Sequence, residues 1–177
     1  QSYSGAGTTF TTGAVSGIID DADVAVFITG QSNQDGGRNG YDQGLSTAAW
    51  NGGADTATFT RGAGGSVSDV SYAVVEFTGS NWNIQRAEHT YSAVGSTQTE
   101  TITAVNSLSR AFLHVQKRTS QNNHADFGHE VWFSGLTQIS FLLDGGAASA
   151  ADHTSVAWVI ENTQLTGEIM DVTRGTG

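Results

Sequence analysis

The sequence predicts an all-β chain made of two tandem, immunoglobulin-like sandwich repeats of about six strands each, either separate or merged. Three observations predict it. The stretch Val70-Ser-Tyr-Ala-Val-Val-Glu-Phe77 returns as Ser155-Val-Ala-Trp-Val-Ile-Glu-Asn162, with 85 positions between Glu76 and Glu161. Both copies are short, β-branched and aromatic, and apolar on both alternating faces up to the glutamate, as in a strand covered on both sides. The remaining apolar runs are equally short and are bounded by Gly, Ser, Thr, Asn and Asp clusters, which favours strands and turns over helices.

Taken in order, residues 1–17 form a small-residue arm with one strand, in which Thr8, Phe10, Thr12 and Ala14 share a face and Val15 follows. Asp23 to Thr29 is a strongly apolar strand, Gly30 to Gly44 a glycine- and asparagine-rich loop, and Leu45 to Trp50 a short strand. Thr56 to Arg61 alternates threonines with Ala57, Phe59 and Arg61, which reads as a half-exposed strand. After the Val70 strand, Trp82 to Tyr91 sets Trp82, Ile84 and Arg86 on one face.

The same order then repeats. Ala104-Val105 stands where Ala14-Val15 stood, and Ala111-Phe-Leu113 where Ala25-Val-Phe27 stood. A polar loop from Thr119 to Gly128 leads to a short strand around Trp132. Ser140-Phe141 takes the place of Thr58-Phe59, and Gly167 to Thr173 closes the second pass. The division expected is an arm over 1–17, a first repeat over 18–95 and a second over 96–177.

Composition narrows the function. The chain has 177 residues, 37% apolar and 14% charged, with a net charge of −10. Such an acidic surface repels nucleic-acid phosphates and anionic lipid, so no nucleic-acid partner is expected. No apolar run reaches the roughly 18 residues of a membrane span. Cysteine is absent, so no disulfide or thiolate chemistry is available. Proline is absent too, where average usage gives about nine, and Lys117 is the one lysine. Proline and lysine commonly blunt exposed sheet edges, so the edges here must close internally or be covered by another chain. A start at Gln1 with serine and threonine richness reads as an exported or virion protein, extracellular or at the cell surface, or as a fragment. No Asn-x-Ser/Thr acceptor for N-linked sugar is present.

The motifs Val74-Val-Glu-Phe77 with Ile84-Gln-Arg86, Ser109-Arg-Ala-Phe-Leu113 and Trp158-Val-Ile-Glu161 together resemble a tandem β-repeat of uncharacterised phage structural and bacterial secreted proteins. The likeness runs from about Val24 to Arg174. It departs where the second copy reads Ile169-Met-Asp-Val172 and where Asn162 replaces Phe77. The resemblance implies a structural role and no catalytic residues. The N-terminal arm is similar to the donor strand of pilus-like fibrils.

Candidate sites are few. His124, Asp126 and His129 cluster near Glu130, but their spacing matches no established metal motif. Asp35 and Asp42 lie among glycines and asparagines as calcium ligands do, without the closing glutamate of such a loop. Glu76 and Glu161 could form an acid–base pair, although duplication alone accounts for both, with Arg86 as a charge partner for Glu76. Of the four tryptophans Trp82 is the best candidate for an exposed, sugar-stacking ring, and no Gly-x-Ser-x-Gly elbow marks a nucleophile. No cofactor and no enzymatic activity are therefore expected. The function expected is a structural subunit whose N-terminal strand (Thr8, Phe10, Thr12, Ala14, Val15) adds to a neighbouring copy, building a helical homopolymer. The alternatives are a glycan-binding module and a phage virion or tail component.

Overall fold

Alternating side chains closed by turn-forming residues give strands joined by tight connections. The computed structural model describes residues 2–3, 7–33, 41–65, 67–121, 128–144 and 149–164. Among these, the first half of the chain forms β1 (Ser2–Tyr3), β2 (Thr9–Thr11), β3 (Val24–Asn33), β4 (Ser46–Asn51), β5 (Thr56–Arg61) and β6 (Ser68–Glu76). The second half forms β7 (Trp82–Thr90), β8 (Thr97–Thr101), β9 (Ala111–Thr119), β10 (His129–Gly135), β11 (Gln138–Leu143) and β12 (His153–Asn162). One helical turn, α1 (Tyr41–Gly44), precedes β4. The expected Gly167 to Thr173 strand lies outside the described residues.

The strands pair antiparallel into four three-stranded sheets, β1-β6-β3, β2-β5-β4, β7-β12-β9 and β8-β11-β10. Each half of the chain therefore repeats one order: first-sixth-third in one sheet, second-fifth-fourth in the other. The fold is all-β and sandwich-like, as the sequence implied. The repeat boundary moves, however. Trp82 to Thr90 pairs with β12 along its whole length, so β7 opens the second unit rather than closing the first. The units are β1–β6 and β7–β12. β1 is the counterpart of β7, and Tyr3-Ser4 is echoed by Tyr91-Ser92.

One register also differs from the sequence reading. Val24 pairs with Glu76, and Ala111 with Glu161, so Ala111 is equivalent to Val24, not Ala25. A slip of one residue moves every side chain to the opposite face. It brings Phe112 into line with Ala25, and His114 with Phe27. β3 also runs on past Ile28 to Asn33, where a loop was expected, across a register shift between Ile28 and Gly30.

Two cores result. Ile139, Phe141 and Leu143 of β11 pack against Ala157 and Val159 of β12, inside the second unit. Val156, Trp158 and Ile160, on the other face of β12, join Ala25, Val26, Ala48 and Phe59 of the first unit. β12 is thus buried at all ten residues. Each fully buried large apolar side chain contributes about 1.5–3 kcal/mol, which makes β12 the beam shared by both cores. Among the described residues no helix is long and apolar enough to cross a membrane.

Candidate assembly site

The two glutamates hold equivalent positions and do equivalent work. Glu76 Oε1 accepts the backbone N–H groups of Ile19 (2.8 Å) and Asp20 (2.6 Å). Glu161 Oε1 accepts those of Asn106 (2.5 Å) and Ser107 (3.2 Å), while Asn83 Nδ2 donates to its Oε2 at 2.9 Å. In each case the clasped pair leads into a 3-10 turn, capped by Asp20 before Asp21–Asp23 and by Ser107 before Leu108–Arg110. Each carboxylate fastens a chain crossing to the end of a central strand. They are not an acid–base pair.

Arg86 does not pair with Glu76. It meets Glu88 at 2.6 Å, and Arg118 meets the same carboxylate at 3.0 Å. Burial alone would raise the Glu88 pKa, but the hydrogen bonds and charges of these two arginines outweigh it and hold the group below its ordinary value. Glu88 thereby aims both guanidinium groups at the first unit. Arg86 Nε donates to the Ala48 carbonyl at 2.9 Å, and Arg118 donates to Thr47 Oγ1 at 2.6 Å. Gln116 bridges two strands, accepting from Ala48 N–H (2.7 Å) and donating to the Val26 carbonyl (2.7 Å). His114 Nε2 accepts from Ile28 N–H at 3.3 Å. Burial lowers the His114 pKa, which favours the neutral ring this contact requires.

Arg86, Gln116 and His114 satisfy backbone along β3 and β4, the strands at the open side of the first sandwich, and Arg118 holds the Thr47 hydroxyl beside them. Edges lacking proline and lysine are thus covered inside the chain, by the sheet of the second unit. Gly62 marks how closely the units approach, because an added Cβ would stand 1.7 Å from the Thr119 carbonyl oxygen.

The N-terminal strand was expected to be free, and here the structure corrects the expectation. Thr9, Phe10 and Thr11 pair with Thr60, Phe59 and Thr58 of β5. Phe10 stacks on Phe59 with centroids 5.3 Å apart. Thr12 and Ala57 exchange hydrogen bonds at 3.0 Å, and Val15 N–H donates to Asp55 at 2.7 Å. Thr8 contributes its carbonyl to Arg61 N–H, although its side chain and that of Ala14 are exposed. Backbone groups that find partners nearby are satisfied at home.

Among the described residues, the position without a neighbouring strand lies elsewhere. β12 is flanked by β7 from Thr154 to Asn162 and by β9 from His153 to Glu161. β6 is flanked by β3 along its whole length, but by β1 only at Ser68 and Asp69. From Ser71 to Glu76 no strand among the described residues lies on that second side. These residues are half-buried or exposed where their β12 counterparts are buried. The expectation of a strand covered on both sides thus holds for β12 and fails for β6.

Of the remaining candidates, those among the described residues are structural parts. His124, Asp126 and Asp35 lie outside the described residues. Asp42 is buried in α1 at 7% exposure. His129 projects into the second unit, its Nδ1 2.8 Å from Ser155 Oγ and its Nε2 3.1 Å from His153 Nδ1. Tyr91 meets the same serine oxygen at 3.0 Å. Burial, His153 and Lys117 push His129 down to about 3. A serine beside a neutral imidazole resembles an activated nucleophile, but Ser155 is fully buried and its Oγ lies out of reach of a substrate. Among the described residues no group of three or more His, Asp or Glu is placed to hold a metal ion. Trp82 is half-buried against Phe77, centroids 4.9 Å apart, and Trp132, 37% exposed, is the tryptophan on the surface. The side chains capping β3 and β4 were missed by sequence reasoning. The available signal was the run of long polar side chains on strands that carry Ile84, Phe112 and Leu113.

No family model, no curated protein and no solved structure matches the chain.

Proposed function

We propose that this chain is a structural subunit that polymerises with copies of itself by β-strand addition, forming a pilus-like fibril or virion component outside the cell. The observation carrying the reading is the contrast between β6 and β12. The same strand occurs twice, and among the described residues only one copy has both flanks occupied. A row of unpaired backbone groups is a template for another strand, and strand addition joins subunits through main-chain hydrogen bonds without disulfides.

The unit interface supports the same reading. Within the chain, the β3/β4 side of one unit rests on the β7-β12-β9 sheet of the next. The second unit presents the equivalent β9/β10 side, and there Val115 (39% exposed) and Trp132 are on the surface. A contact that uses different surfaces on its two sides is heterologous and propagates.

Electron microscopy and sedimentation of the purified 177-residue chain test the proposal. Fibres with a regular subunit repeat are expected. Monodisperse single chains at all concentrations would sink it, and glycan retention by those single chains would favour the glycan-binding module.

A further inference from the structure

We infer that the open flank of β6 receives residues 168–173, Glu-Ile-Met-Asp-Val-Thr, from the C-terminal segment of a second copy. The inference rests on the polymer reading above and names the donor strand. It replaces the N-terminal donor, whose residues pair within their own chain.

The argument is one of position. β7 follows β6 in the chain, yet it pairs with β12 of the next unit and not with β6. The segment 168–173 follows β12 as β7 follows β6, and Ile169-Met-Asp171 stands 85 positions after Ile84-Gln-Arg86. By the same step it belongs to the unit after its own, which in a polymer is the first unit of another copy. That unit has a place for it beside β6, the counterpart of β12.

The register follows from the observed pairs. Ile160 pairs with Ile84, Val159 with Gln85, Trp158 with Arg86 and Ala157 with Ala87. Their counterparts set Val75 against Ile169, Val74 against Met170, Ala73 against Asp171 and Tyr72 against Val172. Val74 and Tyr72 face the first core, where Tyr72 packs on Phe59 at 4.7 Å. The donor thus turns its apolar Met170 and Val172 inward and Asp171 to the other face. β1 of the receiving copy already occupies Ser68 and Asp69, so donor and β1 together would line eight of the nine residues of β6. One position mismatches: Glu168 falls against Glu76, where Asn83 serves Glu161.

The chain contains no cysteine, which allows a clean cross-linking test. Adjacent residues of a strand point to opposite faces, and disulfides need Cβ atoms about 3.5–4.5 Å apart. Full-length chains carrying Val74→Cys with Met170→Cys, or Ala73→Cys with Asp171→Cys, are oxidised after assembly. At least one pair is expected to give a ladder of covalent oligomers on a non-reducing gel, and the off-register control Val74→Cys with Asp171→Cys none. A second full-length variant, Met170→Pro with Asp171→Pro, removes two consecutive N–H groups, one of which must point at β6. Loss of fibres with an unchanged circular dichroism spectrum is expected. Glu168→Asn restores the amide that β7 supplies and is expected to increase the polymerised fraction. Fibres that give no ladder and tolerate the proline pair would overturn the C-terminal donor while leaving the polymer reading standing. An intramolecular cross-link in a chain that remains monomeric would overturn both.

Discussion

β6 and β12 hold the same place in the two units, and among the described residues they differ in how many neighbours each has. β12 carries Trp158 where β6 carries Ala73, and Ile160 where β6 carries Val75. The larger side chains lie on the face of β12 that holds the first unit. The comparison teaches that duplication made one unit the socket for the other. The socket on the first unit stays shallow and open because nothing within the described chain fills it.

Trp158→Ala tests the occupied side of that comparison and should have the largest effect, about 3–5 kcal/mol of stability by urea denaturation. Val75→Ala, the small counterpart on β6, should cost about 1 kcal/mol in the single chain. Equal losses would break the comparison. Glu161→Ala should follow, at about 2–3 kcal/mol, because it removes a fully buried carboxylate that serves three part-buried donors. Glu76→Ala, whose partners remain close to water, should cost about 1–2 kcal/mol.

Protonation offers a third measure, confined to the second unit. His129 sits near 3 in the fold, well below the roughly 6.5 of an unfolded histidine. The unfolded chain therefore binds the extra proton between these values. Its contribution is complete above pH 6.5 and declines as pH falls toward 3, by about 1.4 kcal/mol per pH unit. His129→Asn should flatten that part of the stability–pH curve. An unchanged slope would show that the imidazole is not held neutral. The smallest effect on folding is expected from Val115→Lys, within about 0.5 kcal/mol. The same substitution should weaken fibres by charging the exposed β9 side.

The duplication was legible because Val-Val-Glu and Val-Ile-Glu survive intact, and they survive because the glutamate clasps backbone in both units. The strand Thr56–Arg61 was legible to the residue, since alternation is a local property. The membership of β7 was not. Which strand Trp82 to Thr90 pairs with is decided by residues some seventy positions away, and local pattern carries no record of that. The edge caps were hidden for the same reason: Gln116 reaches Val26 across 90 positions. The single-residue error between Ala25 and Ala111 came from matching Ala-Val-Phe to Ala-Phe-Leu by chemistry, when the glutamate pairings set the register.

The five residues from Phe77 to Asn81 link the units, with Phe77 packed at a tilt against Trp82 and the Asn81 carbonyl accepting from Thr163 N–H. So short a joint, with an aromatic pair across it, fixes one step between the units in this structure. Whatever rotation and translation carry β1–β6 onto β7–β12 are therefore built into every molecule before it meets another. If the same joint recurs between chains, the pitch of the resulting filament is two such steps per molecule and can be calculated from a single one.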